Sequence, residues 1–197
     1  MKKSFIYIIV LLLAVTSIFT CCVPNARKYV NAFIYKDLAM DTVNIPAKNK
    51  LILKYAEAHG KEISPTYKTA VCTEYVIKIL SNFTTLNNKQ KSDIRIITDK
   101  KIEDLLNANS PVTKGVYTSL TNSKIGIPID KIEDVKAGDF VQFWNNFRGE
   151  FVGHCGIVRA IDTKKGIISM YSSSPKTNGH GKQTYIIPAY IYFVRLK

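Results

Sequence analysis

The chain has 197 residues, of which 46% are hydrophobic and 11% aromatic, and its formal net charge is +13 at pH 7. These values exclude an intrinsically disordered chain, and the single long apolar run excludes a multi-pass membrane protein. With only 4 cysteines in the chain, a disulfide-dense scaffold is not expected either. What remains is one basic globular domain that buries a core of its own.

The N-terminus has the pattern of a secretory signal. Lys2 and Lys3 precede a short apolar run over residues 5–15, and small polar residues follow it before Cys21. Because this run is shorter than the about 20 residues that a membrane-spanning helix needs, we interpret residues 1–20 as a cleaved export signal. The alternative is a retained N-terminal anchor.

Residues 18–21, Ile-Phe-Thr-Cys, resemble a bacterial lipobox, although Phe19 and Thr20 depart from its usual small residues. The resemblance implies that Cys21 carries a lipid and attaches the protein to a membrane. Removal of residues 1–20 takes away two lysines and no acidic residue, which leaves a net charge of +11. On an exported domain, this charge favours an anionic cell-wall polymer or acidic lipid headgroups over nucleic acid.

The remaining chain, residues 25–197, is predicted to form a single α+β domain. Apolar residues at helical spacing predict helices over residues 25–38, 47–59, 69–83, 99–107 and 116–121, with a polar loop over 84–93. Runs rich in β-branched and aromatic residues then predict strands over 140–144, 151–161, 166–173 and 184–194. Helices followed by strands indicate N-terminal helices packed on an antiparallel sheet.

The side chains that could perform chemistry in this domain are few. Beyond Cys22, the only cysteines are Cys72 and Cys155, and no pair of cysteines or histidines has the spacing of a zinc site. Cys72 falls in the first turn of the third predicted helix, with Thr69 as its N-cap. The partial positive charge of a helix N-terminus favours a thiolate there. The alternative is a small buried side chain in the core.

His154 and Cys155 are adjacent on a predicted strand, so their side chains point to opposite faces of the sheet. Gly156 leaves open space on the face that carries His154, and Cys155 is predicted to be a packed core thiol. Two alternatives remain open. In the first, His154 is a surface residue at a strand end. In the second, a disulfide joins Cys72 to Cys155 and removes the nucleophile.

Three features in this order resemble a known family. They are Cys72 at a helix start, the Gly138-Asp139 turn into an aromatic strand, and the segment Gly-His-Cys-Gly-Ile-Val over residues 153–158. The order is similar to that of the NlpC-type and CHAP-type cell-wall cysteine peptidases and amidases, which share a papain-like α+β fold. The resemblance covers residues 69–174. It implies that Cys72 is the nucleophile and His154 the base, with no cofactor.

The family's third residue, which orients the base, has no plain match here. The resemblance implies a polar residue on the strand after His154, where Ser173 and Tyr171 are the best candidates. Asn178 and His180 follow in the next loop and rank lower. A hydroxyl orients an imidazole less firmly than a carboxamide does, because it offers a single rotating donor.

Four residues are candidates for the walls of a substrate cleft. Tyr67 precedes the nucleophile, and Trp144 ends the aromatic strand, although each could instead be a packed core residue. Asn178 and His180 belong to the loop 175–181, a candidate rim with an Asn-Gly turn signal.

The leading functional expectation is a monomeric, exported cysteine amidohydrolase that cleaves an amide in the peptide stem of peptidoglycan. The main alternative is a cell-wall-binding lipoprotein of the same fold that has lost catalysis, motivated by the unmatched third residue. A secreted enzyme or toxin with another amide, thioester or acyl-transfer substrate is a third reading of the same residues. Nucleic acid is not an expected partner.

Lipidation can be tested by the mass of the mature chain. We expect the protein recovered from membranes to begin at Cys21 and to carry the mass of a lipid on that residue. An unmodified chain that begins elsewhere would reject the lipoprotein prediction.

Overall fold

The computed structural model describes residues 38–39 and 44–197. The predicted signal over residues 1–20, Cys21 and nearly all of the predicted helix 25–38 lie outside the described residues. Within the described part of the chain, no helix combines the length and the apolar character needed to cross a membrane.

The described chain forms five α-helices and a six-stranded sheet. The helices are α1 Ala47–Ile63, α2 Cys72–Leu80, α3 Asn88–Arg95, α4 Ile102–Asn107 and α5 Val116–Asn122. The strands are β1 Gly126–Ile129, β2 Phe140–Phe147, β3 Glu150–Asp162, β4 Ile167–Ser174, β5 Gly179–Ile186 and β6 Tyr190–Leu196. All pairs are antiparallel, in the order β1-β6-β2-β3-β4-β5. The α+β class and the order of helices before strands are confirmed.

Two predicted elements were wrong, and one strand was missed. The predicted polar loop 84–93 contains most of helix α3, whose start is stabilised by a capping box between Asn87 and Gln90. The predicted strand 184–194 is two strands, because Pro188 lies between β5 and β6 and cannot donate a ladder hydrogen bond. Strand β1 had no prediction, because four residues are too few to display alternation.

The sheet has an apolar core on each face. On one face, α1, α2 and α5 pack against Phe140, Cys155, Ile157, Tyr171 and Val194. On the other, Val141, Phe143, Val158, Ile168, Met170 and Phe193 form a second cluster. Cys155 is fully buried in the first cluster, so its prediction as a packed core thiol is confirmed.

The Gly138-Asp139 turn joins three parts of the fold. The buried Asp139 carboxylate accepts hydrogen bonds from the Lys136 backbone N–H at 2.7 Å, from Asn49 Nδ2 at 2.7 Å and from Arg195 Nε at 2.8 Å. Gly138 has φ +87°, and a β-carbon there would lie 2.5 Å from the Asn49 carbonyl oxygen. The turn therefore holds α1 and β6 to the start of β2, and the predicted hydrogen bond of Asp139 to its own turn is confirmed.

Helix α1 continues past its predicted end at residue 59. Gly60 does not terminate the helix, and its missing side chain instead makes room for the His180 ring. A β-carbon at position 60 would lie 2.4 Å from that ring. The His180 ring is stacked between Tyr75 and Tyr171, with centroid distances of 5.4 Å to each, so it has little room to move aside.

We expect Gly60→Ala to destabilise the protein, although the same change in an open helix usually stabilises by about 1 kcal/mol. Crowding against the confined His180 ring should lower the free energy of unfolding by about 1–3 kcal/mol, measured by urea denaturation.

The control is the same substitution in a His180→Ala background, where the ring is gone and Gly60→Ala should be neutral or stabilising. A stabilising Gly60→Ala in the wild-type background would contradict this account of the contact.

Candidate active site

Cys72 is the first residue of helix α2. The N-cap is Val71, which offers no side-chain hydrogen bond, and not Thr69 as predicted. The Thr69 hydroxyl instead lies 2.9 Å from that of Thr66 in the preceding turn. The backbone N–H groups of the first turn of a helix have no partner within the helix, so they favour negative charge on a side chain at this position.

A buried network of serines holds the segment that leads into Cys72. The Ala70 carbonyl oxygen accepts hydrogen bonds from Ser64 Oγ at 2.9 Å and from Ser173 Oγ, and the two serine oxygens lie 2.8 Å apart. All three residues are buried. The position of Cys72 is thereby tied to the end of α1 and to β4.

The thiolate of the site belongs to Cys72. Hydrogen bonds from the Cys155 thiol and the His154 imidazole, with the charge of that imidazole, lower the pKa of Cys72 well below its ordinary value, although burial opposes them. The hydrogen bond to Cys72 and complete burial raise the pKa of Cys155. Both cysteines are free thiols in this structure, so the disulfide alternative is not the state described here.

The His154 imidazole is held by Gln183. Nε2 of His154 lies 2.7 Å from Oε1 of Gln183, and Nε2 of Gln183 donates to the Ser172 carbonyl oxygen at 3.1 Å. Because the amide nitrogen is committed to that carbonyl, the amide oxygen faces the imidazole and can only accept. The proton of the neutral ring therefore resides on Nε2, which leaves Nδ1 free to take the proton of Cys72.

Further contacts immobilise this pair. Gln183 is 1% exposed, and its Oε1 also accepts a hydrogen bond from the Tyr185 hydroxyl at 2.6 Å. The His154 ring packs against Phe143 and Tyr185, with centroid distances of 5.6 Å to each. Such support restricts the ring to one orientation, which is what a general base requires.

Gln183 occupies the place for which Ser173 and Tyr171 were proposed from sequence. Ser173 belongs to the serine network below Cys72, and the Tyr171 hydroxyl donates to Glu57 at 3.2 Å. Gln183 was missed because it lies on β5, one strand beyond the expected one and opposite Met170. The available signal was the carboxamide of Gln183 itself, but the predicted strand 184–194 began one residue too late to include it.

The residues proposed for the cleft walls divide into two groups. Tyr67 lies near Cys72, since burial and then the charge of the Cys72 thiolate raise the pKa of Tyr67. Trp144 is buried, donates from Nε1 to the Thr113 carbonyl at 2.7 Å and also lines the cleft. By contrast, Asn178 lies in an exposed turn at φ +44°, and His180 is stacked against Tyr75 and Tyr171, so neither is among the residues that line the cleft.

A cleft of about 170 Å³ opens beside Cys72. Its lining residues are Cys72, Thr73, Arg95, Ile96, Gln142, Trp144, Gly153 and His154. The sequence analysis did not anticipate Arg95, Ile96 or Gln142, since no motif marks them. Arg95 forms a bidentate ion pair with Glu74, in which Nε donates to Oε1 at 2.6 Å and Nη2 donates to Oε2 at 3.2 Å.

Ile96 has φ +54°, a conformation that a β-branched side chain adopts only under strain. It also lines a second cavity of about 230 Å³ with Lys89, Pro111 and Val112. Among the described residues, no three His, Cys, Asp or Glu side chains cluster so that they could hold a metal ion.

Comparisons with protein-family models, with curated proteins and with solved structures gave no match for this chain. The chemistry of the site is therefore argued from its own geometry.

The orientation of His154 by Gln183 predicts the pH dependence of Cys72 alkylation. With iodoacetamide, we expect an inflection well below the ordinary thiol pKa of about 8.5, because only the thiolate reacts. Gln183→Leu frees the imidazole and should raise the pKa of Cys72, so the inflection should move to higher pH and labelling at pH 7 should slow. Mass analysis identifies the labelled residue.

Gln90→Leu is the matched control, because Gln90 is also a buried carboxamide but it caps α3 and bonds Ser123. This variant should keep the wild-type profile. An unchanged inflection in Gln183→Leu would show that Gln183 does not support the thiolate–imidazolium pair.

Proposed function

We propose that the protein is an exported cysteine amidohydrolase or peptidase with a papain-like fold that cleaves an amide bond in the peptide stem of peptidoglycan. The observation that carries the proposal is the arrangement of Cys72, His154 and Gln183 at an open cleft. The helix start lowers the energy of the thiolate, the imidazole stands beside it, and the buried carboxamide fixes the imidazole.

The reaction follows from the roles of these groups. The Cys72 thiolate attacks the amide carbonyl carbon, and the protonated imidazole of His154 gives its proton to the leaving amine. An acyl thioester on Cys72 remains. His154 then takes a proton from water, the resulting hydroxide attacks the thioester, and the acid is released as the thiolate re-forms. Backbone N–H groups at the start of α2 are the donors for the oxyanion.

Gln183 contributes through His154. Its Oε1 accepts the hydrogen bond from Nε2–H in every step, so the imidazole keeps Nδ1 directed at Cys72 while that nitrogen gains and loses a proton. Gln183 is therefore a positioning residue.

The papain-like assignment is supported by the relation between the elements. The nucleophile starts a helix that packs on one face of an antiparallel sheet, and the base and its partner come from β3 and β5 of that sheet. The resemblance over residues 69–174 implied a nucleophile at a helix start and a base on a strand, but it placed the partner of the base on the strand directly after the base and not on β5. The charge of +11 suits an anionic wall, and membrane attachment through a lipidated Cys21 remains part of the proposal.

The argument for the alternative, an inactive binding lipoprotein, is weaker once Gln183 is taken into account. It depended on the missing third residue, and Gln183 now provides a carboxamide against His154. The protein is proposed to act as a monomer on peptidoglycan or its fragments, without nucleic acid.

The test is digestion of purified peptidoglycan, with mass analysis of the released fragments. We expect Cys72→Ser and His154→Ala each to lower the rate by about a hundredfold or more, because each removes a group that forms or breaks a bond. The fragment masses distinguish cleavage at the sugar–peptide amide from cleavage within the stem.

His59→Ala is the control, since His59 is exposed and pairs with Glu62 away from the cleft. It should digest like wild type. Wall digestion that survives Cys72→Ser would refute the mechanism, and a reactive Cys72 in a protein that digests no wall would refute the substrate.

A further inference from the structure

Gln142 is a buried carboxamide in the cleft whose oxygen has no partner. It lies on β2, directly opposite Cys155 in the β2–β3 pairing, and is 2% exposed. Its Nε2 donates to the Phe143 carbonyl oxygen at 3.2 Å. Among the described residues, nothing donates a hydrogen bond to its buried Oε1.

Such an oxygen is costly, because a buried acceptor that has lost water and gained no partner destabilises the fold by about 1–3 kcal/mol. The next residues on the same face of β2 are Phe140 and Trp144, so an apolar side chain would suit position 142 for packing alone. The presence of a carboxamide here is not explained by the core.

The surrounding backbone leaves room for this oxygen. Gly115 precedes α5 with φ +46°, and a β-carbon there would lie 2.7 Å from Oε1 of Gln142. Rotation of the amide by half a turn would place Oε1 against the Phe143 carbonyl, where two acceptors repel. The amide is therefore held with its oxygen unpaired, and the residue belongs to the lining of the cleft that Cys72 and His154 share.

We propose that Oε1 of Gln142 accepts a hydrogen bond from an amide N–H of the substrate bound at Cys72. The residue then binds peptides whose secondary amide lies next to the reacting carbonyl, and it discriminates against N-alkylated amides and against acyl groups with no N–H. A site with a buried acceptor rejects a ligand that leaves it unpaired. The proposal builds on the proposed function, because it takes Cys72 as the nucleophile.

The experiment compares two alkylating probes on the purified full chain. They are N-acetylglycyl chloromethyl ketone and its analogue methylated on the glycine nitrogen. In both, the Cys72 sulfur forms a bond to the chloromethyl carbon and chloride leaves, and only the first probe offers an N–H. Labelling rates at Cys72 are divided by the rates with glutathione, which removes the intrinsic difference in reactivity.

For wild type, we expect the N–H probe to react about fivefold or more faster than its methylated analogue, relative to glutathione. Gln142→Met, which is similar in volume and has no such acceptor, should bring this ratio close to that of glutathione. Its melting midpoint should change little, because the variant loses the Nε2 hydrogen bond to Phe143 but also removes the unpaired Oε1.

The proposal is overturned if wild type shows no discrimination beyond glutathione, a result that needs no variant. It is also overturned if Gln142→Met keeps the discrimination, or if the variant lowers the melting midpoint and slows both probes equally, as a structural residue would. The probes require no turnover. A protein that discriminates between them but digests no wall would therefore refute the proposed substrate and leave this binding role standing.

Discussion

Ser64 is the residue on which the geometry of the site depends. Its hydroxyl lies within hydrogen-bond distance of the Ala70 carbonyl and of Ser173, and its own carbonyl accepts the backbone N–H of His180 at 2.9 Å. The first contact holds the segment that leads into Cys72, and the last holds the beginning of β5, the strand that carries Gln183. Cys72 and Gln183 are thus both held, through neighbouring backbone, by one buried serine.

The two cysteines show how position divides chemical roles between identical side chains. Cys155 is enclosed by the core, where a charge has no compensation, so its thiol stays protonated and donates. Cys72 stands at a helix start beside an imidazole and receives that donation. The fully buried Cys155 thiol therefore stabilises the thiolate of Cys72. The adjacent residue His154 stabilises the same thiolate.

Local signals were sufficient for part of this site and insufficient for the rest. The helix that begins at Cys72 was predictable because its apolar residues follow the helical period, and His154 was marked by a short motif. Gln183 was not predictable, because its contact with His154 spans three strands whose register no local pattern specifies. Helix α3 was missed because it is polar on most of its surface, and Gly60 misled because glycine is commonly a terminator.

Gly60 also acts at a distance from its own contact. Gly60 and Ser64 are four residues apart, so they lie on the same side of α1 and its end. A slip of the helix by one residue would turn it by about 100° and shift it by about 1.5 Å along its axis. Only a residue without a side chain fits against the His180 ring, so this contact fixes the rotation of α1 about its axis. That rotation places Ser64 beside the segment that leads into Cys72. The contact of Gly60 with His180 therefore contributes to the position of the Cys72 thiol.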